Sequence, residues 1–429
     1  MSTMRKVRIA LGMTITEKLL ARAAGVPQAR PGEILTVDVS WCMTNDATTH
    51  ISIDMFNARL KERGIHAPER TVFVIDHNVP SESPTTTATQ NKMRAFAREH
   101  GIPLHDGEGV CHQLILEEYA KPGDVVFGAD SHTLTAGAVG AFAAGVGSTD
   151  FVAAMVTGQT WVMVPPTIRI DVEGALPEGV FAKDVVLHMI GDLGADGATY
   201  KAIEWGGPGV QALNTEQRAT LVNMGVEAGA KSSVVEPDEE TLRYLREKRG
   251  SDADTGELFA SDPDCVYERR LTYDLSTLEP VVAYPHNVDN IAPVTAYEGT
   301  AVTTGFLGSC NSGRIEDLRI AAGVLRGRKV LPEVKLIVAP ASKSVYMQAL
   351  KEGLMDVFLE SGAMVVNSNC SVCFGNQGAI GEGDVLISTG TRNFPGRSGS
   401  QKGEIFLASP ATVAATCVGG YITDPREFV

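Results

Sequence analysis

The sequence predicts an α/β protein built on several open parallel sheets, and three observations carry that prediction. Short, continuously apolar runs recur at residues 72–75, 125–127, 336–339, 364–366 and 385–387. Runs of this length without polar alternation suit strands buried on both faces, as parallel strands are. Segments with helical spacing lie among them, the pattern of an α/β chain. Polar residues fit for chemistry then follow the strands, where open parallel sheets gather their ligands.

The helices can be justified in chain order. Thr14 and Glu17 form the S/T-x-x-E signature of a capping box, opening a helix with Leu19, Leu20, Ala23 and Ala24 on one side and Gly25 as its stop. Met93, Phe96 and Ala97 mark a second helical face that ends at Gly101. Leu318, Ala321, Ala322 and Leu325 repeat at i, i+3, i+4 and i+7 and mark a third. At roughly 150 residues per domain, 429 residues suggest about three domains. Near Pro165-Pro166 a small-residue segment yields to a strand over 167–172, and residues 251–285 are polar and rich in Asp (Asp252, Asp254, Asp262, Asp264). The expected domains are therefore 1–165, 166–285 and 286–429. No fixed-period repeat and no low-complexity tract interrupts them.

Composition excludes several classes of function. The net charge of −15, from 37 basic and 52 acidic residues, disfavours a nucleic-acid or anionic-membrane surface, because such binding needs Lys and Arg to neutralise phosphates. An acidic exterior still leaves room for a basic pocket and an anionic substrate. No apolar stretch approaches the 18 residues of a membrane span. The start, Met1 to Lys6, is similar to the basic region of a secretion signal, but Thr14, Thr16, Glu17 and Lys18 break the apolar stretch that would have to follow. The expected location is the cytoplasm. Seven cysteines, an odd number spread over a long chain, do not make a disulfide framework.

The strand ends carry an unusual set of side chains. Ile75 is followed by Asp76-His77, the 125–129 segment by Asp130-Ser131-His132, the 303–308 stretch by Ser309-Cys310, Val366 by Asn367-Ser368-Asn369-Cys370, and Ile387 leads towards Arg392 and Arg397. One such end is unremarkable; this many suggest a shared cleft. Cys370-x-x-Cys373 reads as a zinc half-site, a redox pair or a cluster loop. Structural zinc wants four closed ligands, and there is no second CxxC. Cys310 is the most suggestive third thiolate, and three thiolates could hold a 4Fe–4S cluster with one iron left for substrate. Cys42, Cys111, Cys265 and Cys417 read as ordinary thiols. A lone histidine is more often structural than catalytic, which weighs against His77, His112 and His132. The adjacent Asp-His and Asp-Ser-His pairings weigh the other way, because a carboxylate beside an imidazole fixes its tautomer and tunes its pKa. Arg392 and Arg397, with Asn393, Phe394, Pro395 and Gly396 between them, look more like anchors on a shaped loop than solvated surface charges. Arginine suits bidentate capture of carboxylates.

Together these motifs resemble the aconitase superfamily, specifically the separate large subunits similar to 3-isopropylmalate dehydratase. The resemblance rests on GEGVCHQ (107–113), GADSHTLTAGAVGAFAAGVGSTD (128–150), NMGVEAGA (223–230), GSCNSGRIEDLR (308–319), CSVCFGNQGAIGEGD (370–384) and RNFPGR (392–397). They stand in the family's order and span nearly the whole chain. The resemblance implies three α/β domains with parallel sheets around a central cleft. It implies a 4Fe–4S cluster on Cys310, Cys370 and Cys373, with one iron not ligated by cysteine. Asp76 and His77 fall where the family protonates the departing hydroxyl. His112, Asp130, His132 and Glu227 fall around the open iron and its water. Ser131, Arg392 and Arg397 fall at substrate-carboxylate contacts, and Asn223 lines the cluster site.

The implied reaction is reversible dehydration of a 2-hydroxy di- or tricarboxylate, with isopropylmalate as the leading substrate. Homoaconitate or homocitrate, dimethylmalate, methylmalate and maleate are the alternatives, and a cluster-sensing RNA regulator is a remoter one. Three departures from the family pattern touch the site. Asn311-Ser312 replace Thr-Asn after the first cysteine, Thr391 replaces Asn before Arg392, and Asn45-Asp46 stand where Gln or His precedes an acid at a substrate-lining position. The family's complete enzymes also carry a swivel domain that supplies the catalytic base serine. The roughly thirty residues after Arg397 leave no room for it, so a separate small subunit is the expected partner.

Overall fold

The computed structural model describes residues 12–428; the basic start weighed above lies outside them. The capping box is closed in both directions, Glu17 N to Thr14 Oγ1 and Thr14 N to Glu17 Oε2, each at 3.3 Å, and opens the helix Ile15–Ala23. The other two expected helices form as Pro84–His100, which stops at Gly101 in the left-handed region (φ 69°), and Ile315–Leu325. Glycine bears that φ without steric cost.

β1 (Ile34–Asp38) stands outside the first sheet, which holds β2 (Trp41–Asn45), β3 (Thr71–Ile75), β4 (Leu104–Asp106), β5 (Val125–Gly128) and β6 (Phe142–Gly145). All five are parallel, in the order β4-β3-β2-β5-β6. β1 instead pairs antiparallel with β7 (Gln159–Met163). The second sheet, also parallel, orders β8 (Thr167–Glu173), β9 (Ala202–Gly206), β10 (Ser232–Val235) and β11 (Arg269–Asp274) as β10-β9-β8-β11.

The third sheet opens with an antiparallel pair, β12 (Val281–Ala283) and β13 (Ile291–Pro293). The parallel strands β14 (Thr304–Leu307), β15 (Lys335–Val338), β16 (Met364–Val365), β17 (Val385–Ser388) and β18 (Glu404–Leu407) then run in the order β16-β15-β14-β17-β18. Because β12 joins this sheet, the chain enters it slightly before residue 285.

The first and third sheets share one winding plan. In each, the parallel strands start on a central strand, run outward to one edge, then return across the centre to fill the other side. Each therefore has a switch point, between β2 and β5 in one and between β14 and β17 in the other, and loops at such points diverge to leave a crevice. One continuous apolar core joins the sheets, running from Met43 and Val126 through Ile170 and Trp205 to Phe306, Cys310, Cys370 and Cys373. The cysteines thus lie on the margin of a shared core. Backbone bonds hold the two crevices together: Cys370 N donates to the Asp76 carbonyl (2.8 Å) and Val110 N to the Ala341 carbonyl (2.8 Å).

Candidate active site

At the first switch point the strand ends are bound to one another. Asn45, the last residue of β2, donates from Nδ2 to Asp130 Oδ2 beyond β5 (3.0 Å). Asp46 accepts at Oδ1 from the Asp76 and His77 amides (3.0 and 2.8 Å) and at Oδ2 from the Asn78 amide, Asn78 Nδ2 and Gln90 Nε2 (3.1, 2.9 and 3.2 Å). Both its oxygens are fully engaged and the residue is buried, as Asn45 is. Asn45 and Asp46, expected at substrate contacts, thus both bond protein partners here. A carboxylate with five protein donors has no lone pair left for a ligand, so Asp46 instead clamps the turn that presents His77.

His77 Nδ1 lies 2.7 Å from Asp76 Oδ1, and Asp76 Oδ2 accepts the Cys111 amide at 2.7 Å. Burial opposes the imidazolium, but Asp76, then Asp130 and Asp46, outweigh it and lift His77 to about 9. Its Nε2 is 3.7 Å from Asp130 Oδ2, beyond hydrogen-bond length. Burial would raise Asp130, but His112, His77 and His132 hold it well below the usual carboxylate range. His112 Nε2 lies 2.8 Å from Asp130 Oδ1, while its Nδ1 is buried without a partner among the described residues.

A second carboxylate–imidazole pair comes from the second sheet's side. His132 Nε2 lies 2.9 Å from Glu227 Oε1. Glu227 is in the turn Met224–Ala228, which leads into β10 rather than following a strand. Arg392 Nε lies 2.9 and 3.1 Å from the two Glu227 oxygens, and its NH2 group donates to Ser131 Oγ at 2.9 Å. Burial lowers His132; Glu227 works against that, and Arg392 reinforces it. Burial would raise Glu227, but His132 and Arg392 together bring it down.

The three expected cysteines come from loops of the third sheet, Cys310 after β14 and Cys370 and Cys373 after β16, and all are buried. The Cys370 thiol and burial beside it act in opposite senses on Cys373, and the Cys370 hydrogen bond, with Arg397 assisting, holds Cys373 well below the normal thiol range. Burial pushes Cys310 up to about 12, with the charge of Cys373 adding to it. Asn223 Nδ2 donates to Cys310 Sγ at 3.3 Å, and Arg397 donates to Cys373 Sγ at 3.6 Å. The Arg397 guanidinium lies 5.3 Å over the Phe374 ring, and its Nε is buried without a partner among the described residues. Asn311 and Ser312 are buried beside Cys310, joined by a bond from Ser312 Oγ to Asn311 Oδ1 (3.1 Å).

Two residues with clear places here went unread in the sequence. Arg314, wholly buried, grips the Cys310 and Asn311 carbonyls at 2.5 and 2.6 Å and shapes the first cysteine loop. Lys183 reaches the same loop from the helix Ala182–Leu193, donating to Asn311 Oδ1 at 2.8 Å, and burial lowers it to about 8. A lysine in the first turn of an amphipathic helix carries no sign of burial in the sequence, whereas Arg314 lay inside a quoted motif.

Comparison with known proteins identifies the family. The model of the aconitase family (aconitate hydratase) matches residues 17–420. The chain is similar to 3-isopropylmalate dehydratase large subunit 1 of Methanopyrus kandleri, with 46% identity covering 98% of this chain and 100% of the relative. It is also similar to the probable methanogen homoaconitase large subunit of Methanothermobacter thermautotrophicus, with 44% identity over 97% of this chain and 98% of that one. Among solved structures, holo aconitase X of Thermococcus kodakaraensis has a similar fold (TM-score 0.50, 12% identity, 83% of this chain and 84% of that one). No helix among the described residues is long and apolar enough to cross a membrane. With the family match over nearly its whole length and relatives of this identity, the chain belongs to the aconitase family of hydro-lyases.

Proposed function

We propose that this chain is the large subunit of a dehydratase that interconverts 2- and 3-isopropylmalate, using a 4Fe–4S cluster held by Cys310, Cys370 and Cys373. The observation that carries the reading is the meeting of three buried cysteines with two carboxylate–imidazole pairs and two arginines on loops around one cleft. The donor set suits such a cluster. Burial raises Cys310, the Cys370–Cys373 contact and burial raise Cys370, and a bound cationic group would relieve both. The names of the relatives support the substrate, and the homoaconitase-named relative at 44% identity makes a longer tricarboxylate the rival.

In this reading the chain's own groups divide the work. Arg397, whose Nε lacks a partner among the described residues, takes a substrate carboxylate, and Arg392 with Ser131 borders the same space. His77, held protonated by Asp76, delivers its Nε2 proton to the departing hydroxyl. Asp130, His112, His132 and Glu227 form a hydrogen-bonding shell for the water released. When bound, the cluster supplies a Lewis acid through the iron that no cysteine holds. The base that removes the carbon-bound proton is assigned to a small partner subunit, consistent with the words "large subunit" in the relatives' names. Phe374 and Phe394, 40% and 47% exposed beside the cysteine and arginine loops, would lie in its contact surface.

The test is anaerobic reconstitution. Cys370→Ser should abolish the visible cluster absorbance and Cys265→Ser should retain it; a full cluster in both removes the ligand assignment. Reconstituted wild-type protein should dehydrate isopropylmalate only when a small subunit is added. Full turnover by the isolated chain would end the two-subunit reading, and a preference for a tricarboxylate would transfer the assignment to homoaconitate.

A further inference from the structure

Lys183 is a buried cation that the reaction scheme above does not use. Lys183 is 1% exposed, and its Nζ donates to Asn311 Oδ1 (2.8 Å), the Gly390 carbonyl (2.6 Å) and the Thr389 carbonyl (3.4 Å), with Met224 Sδ at 3.1 Å. Three oxygen acceptors match the three N–H bonds of an ammonium, which has no lone pair to offer in return.

That one-way character fixes what lies beyond. Facing an ammonium, Asn311 must present its oxygen. Its Nδ2 then donates to the Thr220 carbonyl (3.1 Å), itself only an acceptor, and to Asn223 Oδ1 (3.2 Å). With its oxygen committed, Asn223 must turn Nδ2 to its remaining neighbours, Thr135 Oγ1 (2.8 Å) and Cys310 Sγ (3.3 Å). Thr135 is free to accept because its own hydroxyl proton goes to the His132 carbonyl (2.7 Å). Lys183, Asn311 and Asn223 are each buried, so no water competes for the amides.

We propose that Lys183 is a positioning residue that orients a directed hydrogen-bond chain, Lys183 to Asn311 to Asn223, so that its last N–H falls on the Cys310 sulfur and tunes the group this sulfur holds. The proposal rests on the cluster reading above. Hydrogen bonds to ligand sulfurs draw charge from them and raise cluster reduction potentials, and aligned bonds in a dry interior strengthen one another.

The test compares reconstituted holoenzymes by EPR-monitored redox titration, with iron and sulfide content and melting temperature measured alongside. Lys183→Met and Asn311→Ala should each keep the cluster and lower its midpoint potential by about the equivalent of a tenfold shift in equilibrium, ~59 mV for one electron. Because both break the same chain, the double variant should fall no further than either single one. A shift in Lys183→Met alone, or fully additive shifts, would mean that the charge acts through space and would overturn the chain. Unchanged potentials in both would reduce Lys183 to a tie between loops. If Lys183→Met holds no cluster, Asn311→Ala decides, since it leaves the lysine in place: a lowered potential supports the chain and a wild-type one overturns it. Wild-type protein that takes up no cluster would overturn the functional reading as well, which separates the two failures.

Discussion

His77 and His132 stand in one cleft, both buried and both within 3 Å of a carboxylate oxygen, yet their surroundings push them in opposite directions. Burial lowers each of them first. Around His77, three carboxylates overcome it and lift the imidazole to about 9. Around His132 the nearest carboxylate, Glu227 at 2.9 Å, is shared with Arg392, Asp130 lies farther off at 3.9 Å, and the imidazole stays below its ordinary value. The distance to the nearest carboxylate therefore does not set the protonation state; the sum of charges not already neutralised does. Environments that drive two like groups apart assign them different proton roles. On the proposed reading His77 gives the proton, while the surroundings of His132 favour its neutral form.

The largest expected effect breaks the comparison outright. His77→Ala should leave the cluster absorbance intact and cut turnover by roughly 10²–10⁴ in a steady-state assay of the complete enzyme, the usual range for a general acid. Loss of the cluster instead would place His77 in the structure rather than the chemistry.

The arginines sharpen the contrast next. Arg392 is already engaged by Glu227 and Ser131, whereas Arg397 keeps a buried Nε without a partner among the described residues. Arg397→Lys retains the charge and loses the planar fork. It should weaken substrate binding by about ten- to a hundredfold, on the order of 1.5–3 kcal/mol, while Arg326→Lys on the surface should not. Equal affinities would take Arg397 out of the site.

A smaller change tests the charge sum directly. Asp76→Asn removes the largest of the charges that raise His77, so the basic limb of the pH–rate profile should move to lower pH. A limb that stays in place would assign it to another group.

The smallest effect is on stability. The folded-state pKa of His77 lies above its unfolded value, so its contribution is complete below about pH 6.5 and is lost as pH rises through about 9. Chemical denaturation of His77→Gln should show a flatter decline across that window than the wild type.

Much of this was legible in the chain because the signals were local. Thr14 and Glu17 specify a cap within one turn, and the all-buried β3 and β5 are short apolar runs bounded by polar residues. Asp76, His77, Asp130, His132 and Cys310 follow strands directly, so a strand reading finds them. β2 was missed, although it is the centre of the first sheet, because Trp-Cys-Met-Thr-Asn mixes polar and apolar residues; the Thr44 hydroxyl is buried by bonding to those of Thr48 and Thr49. Glu227 and Asn223 do not follow a strand at all. They approach the cleft from the connection between β9 and β10, and only their motif's likeness to a family pointed to them.

By itself, then, the sequence determined the α/β class, the capped helices, the apolar strands and the residue types waiting at the strand ends, all properties of neighbouring residues and their spacing. The tertiary structure alone decided that Asp46 is a clamp, that Glu227 serves both His132 and Arg392, and that Lys183 faces Asn311 from the far side of a core. Burial and the sum of nearby charges depend on groups from 30 to 165 residues apart in the chain, and only the folding of the sheets and their packing against one another brings those groups together.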